Sequence, residues 1–477
     1  MDPAPQHAPT ARRATAGTAP GALPLLGHLG RLAADPLAFL RSLPGSGDLV
    51  WVRLGPVRAL VVCDAGLLRE MLLNDRVFDK GGPLNERVRE FMGQGIGTVM
   101  RPGHRRQRRM LQPAFHRDRF PGYAEVMSER IGAELANWRD GQVIDTFDRM
   151  LELAATNVAR TLFAASTESV LAELNQAIDH IVRGLVPRVL LPAPLNRLPL
   201  PAVRRYERAR VRIRQITGDF TTAYRREGTD RGDLLSMLLA ARDDDGRPLT
   251  DDEICDEVTT LFMAGIETTA TTLSWAMLLL ARTPEAQHRI AEEAAAVLGD
   301  RTAVFDDLPH LPYTRAVLVE ALRMYPAGWM QMRQATEDTE LGGHRLAEGT
   351  VLIFSSYVLH HRPDYHPDPG RFRPERWLND TGRASGADRL FHFGHGARKC
   401  IGDNFALTEA VLTLATIAAR WRLAPLSTGP LRPRMKASLA PADARVRLIR
   451  RTTPPADRPA PATTACPHHS AATTDTA

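Results

Sequence analysis

Phe391-His392-Phe393-Gly394-His395-Gly396-Ala397-Arg398-Lys399-Cys400-Ile401-Gly402 is the stretch on which the fold turns. Its glycines lack the spacing of a phosphate-binding loop and no buried strand precedes them, so a phosphate cradle is not expected. The single cysteine stands between a loop that glycine allows to turn tightly and an apolar stretch, 401 to about 420, of helical periodicity. A cysteine at a helix N-terminus meets unsatisfied N–H groups and the positive end of the helix dipole, which favours thiolate. Such a thiolate is a nucleophile or a metal ligand. A nucleophile needs a base, and His392 and His395, both on the turning loop, do not supply one convincingly. Zinc and iron–sulfur centres need several clustered ligands, whereas haem accepts one axial thiolate. A buried structural cysteine is the plain alternative.

Further from Cys400, Ala264-Gly265-Ile266-Glu267-Thr268-Thr269 falls inside a segment that opens with Thr250-Asp251-Asp252-Glu253 and stops at Thr283-Pro284. The opening has capping-box spacing, and the pattern predicts a helix over 250–282. Gly265 in mid-helix costs roughly 1 kcal/mol relative to alanine, so close packing or a functional opening of the helix is expected there. Glu320 and Arg323 share one helical face. Phe372-x-Pro374-Glu375-Arg376-Trp377 and the basic run His104-Arg105-Arg106-Gln107-Arg108 complete the set.

Phe393-Gly394-x-Gly396-x-Arg398-x-Cys400-x-Gly402 resembles the haem-binding loop of cytochrome P450 monooxygenases, and the other segments resemble that family's motifs in the family's order, over about 21–451. The resemblance implies a mainly α fold with a small β region, haem b as cofactor and O2 as co-substrate. It implies Cys400 as the axial ligand, with Phe393, Gly394, Gly402 and Ala406 shaping the loop and the helix beneath the ring. Ala264 and Gly265 would border the distal face. Glu267 and Thr268 would be the catalytic pair that delivers protons, and Glu320, Arg323 and Arg376 a structural lock. His104, Arg108, Arg333 and Arg398 would meet the propionates; His104 stands where tryptophan is frequent, and an imidazole there can titrate. Arg105, Arg106 and Arg109 are either a solvated helix face or a docking patch for an acidic electron donor.

The implied activity is insertion of one oxygen atom from O2 into a C–H bond of a hydrophobic small molecule. Segments that would line the pocket (91–100, 186–191, Met263 and Ile266, 327–332, 437–439) are largely apolar, with Arg188 the exception and Met92, Met263, Met330 and Met332 adaptable. Phe78-Asp79-Lys80-Gly81-Gly82-Pro83-Leu84 together with 104–115 looks most like bacterial sesquiterpene oxidases, so a cyclic sesquiterpene or other terpenoid is the expected substrate. A macrolide, fatty acid or steroid is the alternative. Electrons are expected from a ferredoxin and its NAD(P)H-dependent reductase. Peroxide-driven haem chemistry and a non-enzymatic haem redox sensor are the competing classes, and Glu267-Thr268 argues against both.

Composition agrees with a folded enzyme: 477 residues, 44% apolar, 24% charged and 6% aromatic. The net charge of +6 is almost entirely arginine, since lysine occurs only at 80, 399 and 436. Without interleaved aromatics this charge does not predict nucleic-acid binding. No run approaches the roughly 18 apolar residues of a membrane span, and the N-terminus lacks a signal-like apolar core, so a cytoplasmic monomer is expected. Cys63, Cys255, Cys400 and Cys466 have no paired spacing. Residues 1–20 and 452–477, rich in Ala, Pro and Thr, are expected as disordered tails around one domain at 21–451. Helices are predicted at 120–185, 201–226, 250–282, 284–298 and 312–325, a hairpin at 49–63, and further strands at 339–353.

Overall fold

A computed structural model describes residues 13–163, 201–227, 233–378, 389–435 and 437–451, with four positions between 173 and 180. Its helices of ten residues or more are α1 (Pro83–Met92), α2 (Arg101–Leu111), α3 (Phe120–Ala136), α4 (Thr146–Phe163), α5 (Pro201–Glu227), α6 (Asp251–Arg282), α7 (Pro284–Leu298), α8 (Pro312–Met324) and α9 (Asp403–Arg420). Its strands are β1 (Ala16–Thr18), β2 (Leu49–Leu54), β3 (Val57–Val62), β4 (Phe78–Asp79), β5 (Val143–Asp145), β6 (Gln331–Ala335), β7 (Thr339–Leu341), β8 (His344–Leu346), β9 (Val351–Phe354), β10 (Trp421–Pro425), β11 (Pro433–Met435), β12 (Leu439–Pro441) and β13 (Arg445–Arg450). The architecture is mainly helical with a small β region, as the sequence predicts.

Helix α6 organises the core. The Glu253 N–H donates to Thr250 Oγ1 at 3.2 Å and the Thr250 N–H to Glu253 Oε2 at 2.8 Å, the reciprocal cap read from the sequence, worth about 1 kcal/mol. At 1.5 Å per residue the helix runs about 48 Å. It is apolar nearly all round because α4, α5, α8 and α9 pack on it. Trp275 is fully buried and stacks on Tyr325 at 3.6 Å, while its Nε1–H donates to Leu439 O at 2.7 Å, tying α6 to β12.

The main sheet has the order β1-β2-β3-β9-β6-β4. The predicted hairpin places Leu49 opposite Val62, and β9 joins β3 in parallel with Val351 opposite Ala59. Both faces of these central strands are buried. Leu60, Val62, Leu352 and Phe354 enter one core, and Ala59, Val61, Val351 and Ile353 the other, as a side-chain period of two requires. A second sheet has the order β10-β13-β5, and β7-β8 and β11-β12 are hairpins.

Two expectations are corrected. The stretch 120–185 is not one helical run: Gly141 turns with φ +74°, and Val143–Asp145 leaves to pair with β13, Arg445 opposite Asp145. The partner strand lies at the far end of the sequence, beyond the reach of local periodicity. Nor is all of 1–20 a tail. Ala16–Thr18 runs parallel to β2, and Thr15 N donates to Asp48 Oδ2 at 2.9 Å; Ala and Thr carry no apolar pattern, and β2 supplies the hydrogen bonds. Residues 1–12 and 452–477, Cys466 among them, lie outside the described residues, as do 186–191 with Arg188.

Candidate active site around Cys400

The cysteine loop is built by its own backbone. Gly394 N donates to Phe391 O at 3.0 Å, Lys399 N to Gly396 O at 3.1 Å, and Cys400 N to Phe393 O at 2.8 Å. Gly394 and Gly396 adopt φ +70° and +68°, where a side chain is strained. At Gly396 a Cβ would also stand 2.5 Å from Leu72 O, so this glycine lets the loop press against the end of the helix Ala65–Leu73. Gly402 is different: a Cβ there meets only Phe115 at 3.8 Å, an ordinary contact. The Ala406 N–H donates to Gly402 O at 2.9 Å as α9 begins.

Cys400 is a free thiol set deep in the protein that nonetheless keeps open surface. Burial raises its pKa and outweighs the Gly402 N–H at the helix start, which favours the thiolate. A bound metal deprotonates such a thiol outright. Among the described residues no group of three or more His, Cys, Asp or Glu is placed to hold a metal, which leaves Cys400 as a lone ligand.

Helix α6 carries other residues predicted for the site. Ala264 is exposed and Met263, Gly265 and Thr268 are partly so, although most of the helix is buried. Open surface in the middle of an otherwise buried helix leaves room for another group to pack there. The Thr268 hydroxyl donates to Ala264 O at 2.5 Å, the back-bond to the carbonyl one turn earlier that a helical threonine makes. Gly265 needs no catalytic reason: a Cβ would stand 3.0 Å from Val158 Cγ2 of α4, so close helix packing suffices. Glu267 is buried and turned to the loop before β12, accepting from Ser438 Oγ at 2.6 Å and Ser438 N at 3.2 Å. Ser438 Oγ also meets Thr271 Oγ1 at 2.8 Å. The sequence placed 437–439 at the pocket but did not point to this bond of Ser438.

A cluster of cations lines one side. Arg398 pairs with Asp79 and donates to Val99 O at 2.9 Å, while its Nε has no partner. Arg333 is buried and donates only to the neighbouring Met332 O, at 2.8 Å; burial and the nearby Arg398 lower its pKa to about 10. Lys80 is held by the same surroundings well below the usual lysine range, first by burial and then by Arg333 and Arg398. Asp79 is already engaged by Arg398, by Arg101 N and by Lys80 N. His104 is buried with Nδ1 unpartnered; burial, Arg398 and Arg108 bring its pKa to about 4. Arg108 donates to Lys399 O at 2.5 Å and Gln112 Oε1 at 3.2 Å, and so it braces the cysteine loop. Lys80 was missed, although one of only three lysines in an arginine-rich chain was itself a signal.

These groups suit haem. The lone thiol is the donor it takes, the exposed Ala264 offers an apolar contact, and the under-compensated cations Lys80, Arg333 and Arg398 match two carboxylates.

The lock is present and larger than expected. Glu320 Oε1 accepts from Arg323 Nη2 at 2.8 Å, Arg376 Nε at 3.1 Å and Arg373 N at 3.1 Å; Oε2 accepts from Arg323 Nε at 2.9 Å and Trp377 Nε1 at 2.8 Å. Burial pushes the Glu320 carboxyl up, but Arg323 and Arg376 outweigh it and leave it below its usual value. The pocket loop 93–98 is clamped to α6: Asp256 Oδ2 accepts Gln94 N at 2.7 Å and Glu257 Oε2 accepts Ile96 N at 2.9 Å. Arg105, Arg106 and Arg109 each pair with an acid, Asp75, Asp243 with Glu253, and Asp244 respectively.

Comparison with known proteins agrees with this geometry. A model of the family described as Cytochrome P450 matches residues 18–446. The chain is 45% identical over 429 residues to a cyclooctat-9-en-7-ol 5-monooxygenase of Streptomyces melanosporofaciens, covering 89% of this chain and 93% of the relative. It is 44% identical over 439 residues to a pentalenene oxygenase of Streptomyces avermitilis, covering 92% and 98%. With the cyclooctatin synthase of Streptomyces melanosporofaciens it shares 44% identity over 425 residues, 88% and 93% of the two chains.

Proposed function

The chain belongs to the cytochrome P450 family and is a monooxygenase, and on that premise we propose that it oxidises a cyclic terpenoid at an unactivated carbon in secondary metabolism. The observation that carries the chemistry is open surface on Cys400 and, in the middle of the core helix α6, on Ala264 and Thr268, together with the buried Arg333.

When bound, haem b supplies the reductive activation of O2. Cys400 is the residue to hold its iron, and Lys80, Arg333 and Arg398 to neutralise its carboxylates. Thr268, whose hydroxyl rests on Ala264 O, holds and moves a proton at Oγ1. Glu267, restrained by Ser438, resupplies that proton. Phe393, Gly394 and Gly402 shape the loop beneath the ring. The substrate meets half-buried Met92 and Met263 on the large core and Met330 and Met332 on the sheet side, a wall that orients an apolar ring system by shape. The names of the relatives and this apolar wall support a terpenoid over a macrolide, fatty acid or steroid. Two electrons come from a ferredoxin and its NAD(P)H-dependent reductase in the cytoplasm, delivered to a monomer. No described helix is long and apolar enough to cross a membrane.

The test is the absorption spectrum of the reduced protein under carbon monoxide, then titration with cyclic sesquiterpenes and turnover with NADPH, ferredoxin, reductase and O2. A thiolate-type Soret band, lost in Cys400→Ser, and an oxygenated terpene are expected. A histidine-type band in folded protein refutes the haem–thiolate reading, and a thiolate band with no response to any cyclic terpene refutes the substrate class.

A further inference from the structure

His360 lies fully buried at the end of the short helix Ser356–His360 and makes bonds in two directions. Its backbone carbonyl accepts from Arg323 Nη1 at 3.0 Å, and its Nδ1 lies 3.2 Å from Arg323 O. Its Nε2 lies 2.9 Å from the backbone nitrogen of Phe391. These partners fix the tautomer. A carbonyl only accepts and a backbone N–H only donates, so Nδ1 carries the proton and Nε2 the lone pair. The ring is neutral: burial, then His392 and His366, hold its pKa well below the usual range.

Arg323 belongs to the Glu320 cluster, and Phe391 is where the cysteine loop starts. Phe391 O takes Gly394 N at 3.0 Å, and Ser356 Oγ donates to that same oxygen at 3.2 Å. From Phe393 O the next bond runs to Cys400 N at 2.8 Å. Hydrogen bonds thus lead from the lock on α8, through one imidazole, to the loop that presents the thiol.

We infer that His360 is a positioning residue that carries the rigidity of the Glu320–Arg323–Arg376 cluster to the cysteine loop by holding Phe391 N–H. The inference rests on Cys400 being the haem ligand. It gives the lock a stated mechanical path: without the imidazole acceptor the Phe391 N–H is buried and unsatisfied, and the loop gains freedom to let the thiolate go.

His360→Leu removes both bonds at similar volume, and His360→Gln keeps one donor and one acceptor. In the holoenzyme, the measurement is the rate at which the ferrous–carbon monoxide complex loses its thiolate-type band, with haem content and the thermal midpoint followed in parallel. His360→Leu is expected to lose the band about tenfold faster, the change one buried hydrogen bond implies, with haem content kept at the start and His360→Gln intermediate. A wild-type rate in His360→Leu overturns the inference. So does a faster loss in which haem content and thermal midpoint fall in proportion, which marks a merely structural role. Should His360→Leu not fold, 15N spectra of wild-type ferrous–carbon monoxide protein decide: Nδ1–H with a bare Nε2 at the resonance missing from His360→Gln supports the bridge, and an Nε2–H tautomer overturns it. A wild-type protein with no thiolate band to lose refutes the haem–thiolate reading instead.

Discussion

At the scale of single residues, Thr268 and Lys80 carry the most direct consequences. The Thr268 hydroxyl is the proton-bearing group exposed on the cavity side of α6, so Thr268→Ala should keep haem while product per NADPH falls about a hundredfold, the range of lost general-acid help. Hydrogen peroxide per NADPH, measured alongside product, should rise to match; fully coupled turnover would remove Thr268 from proton delivery. The ammonium of Lys80 has no acid of its own, because Asp79 is committed to Arg398 and two backbone N–H groups. Lys80→Met should therefore release haem to apomyoglobin several-fold faster than wild type, whereas Arg108→Gln, which loosens the cysteine loop from outside, should affect transfer less. Cys400, Glu320, Arg323 and Arg376 were legible because their spacing forms a recognisable motif. The bonds of His360 and Ser438 were not: each reaches a partner dozens to hundreds of residues away, and local periodicity announces no such partner.

Among elements, legibility followed the presence of local punctuation. Helices α5, α6, α7 and α8 fall within two residues of their predicted limits, because caps such as Thr250 and first-turn prolines such as Pro284 and Pro312 are written beside them. Strands β1 and β5 escaped notice because their identity is conferred by β2 and β13. In the cysteine loop, Gly396→Ala forces a side chain into a left-handed backbone and onto Leu72 O. It is expected to lower the thermal midpoint and to lose the thiolate band, whereas Gly402→Ala, with room at the position, should retain both. The turn before β12 is tied to α6 by Ser438, which restrains the Glu267 carboxylate. Ser438→Ala should raise the solvent isotope effect on turnover and the peroxide yield, and Ser438→Thr should restore both; unchanged coupling in the alanine protein would show Glu267 working without its tether.

Over the whole molecule, two buried carboxyls set the pH response of stability. Burial raises Glu409 to about 8 in the interior between α9 and α4, where Asn157 Nδ2 donates to it at 2.8 Å. Burial likewise raises Glu257 to about 8, against the pull of the Ile96 N–H. A carboxyl raised on folding binds its proton more tightly in the native state. Its stabilising effect is complete below the unfolded value of 4.5, and is lost as pH climbs through the folded value near 8. The thermal midpoint should therefore decline from pH 5 to 8 by more than in Glu409→Gln, whose amide has no proton to lose. Equal slopes in the two proteins would place the titration elsewhere.

The second sheet has a consequence in time as well as in space. Thr146, at the start of α4, donates to Ala444 O across 298 residues of chain, and β13 completes the sheet that β5 begins. On a ribosome that adds roughly 5–20 residues per second, β5 thus waits many seconds for its mate. Residues proposed for the site belong to both ends of that interval, Lys80 and His104 early, Cys400 and Ser438 late. Enclosure of the cofactor is therefore an event of the finished polypeptide, and when the chain is made faster than haem, the surplus should accumulate as open-cavity apoprotein.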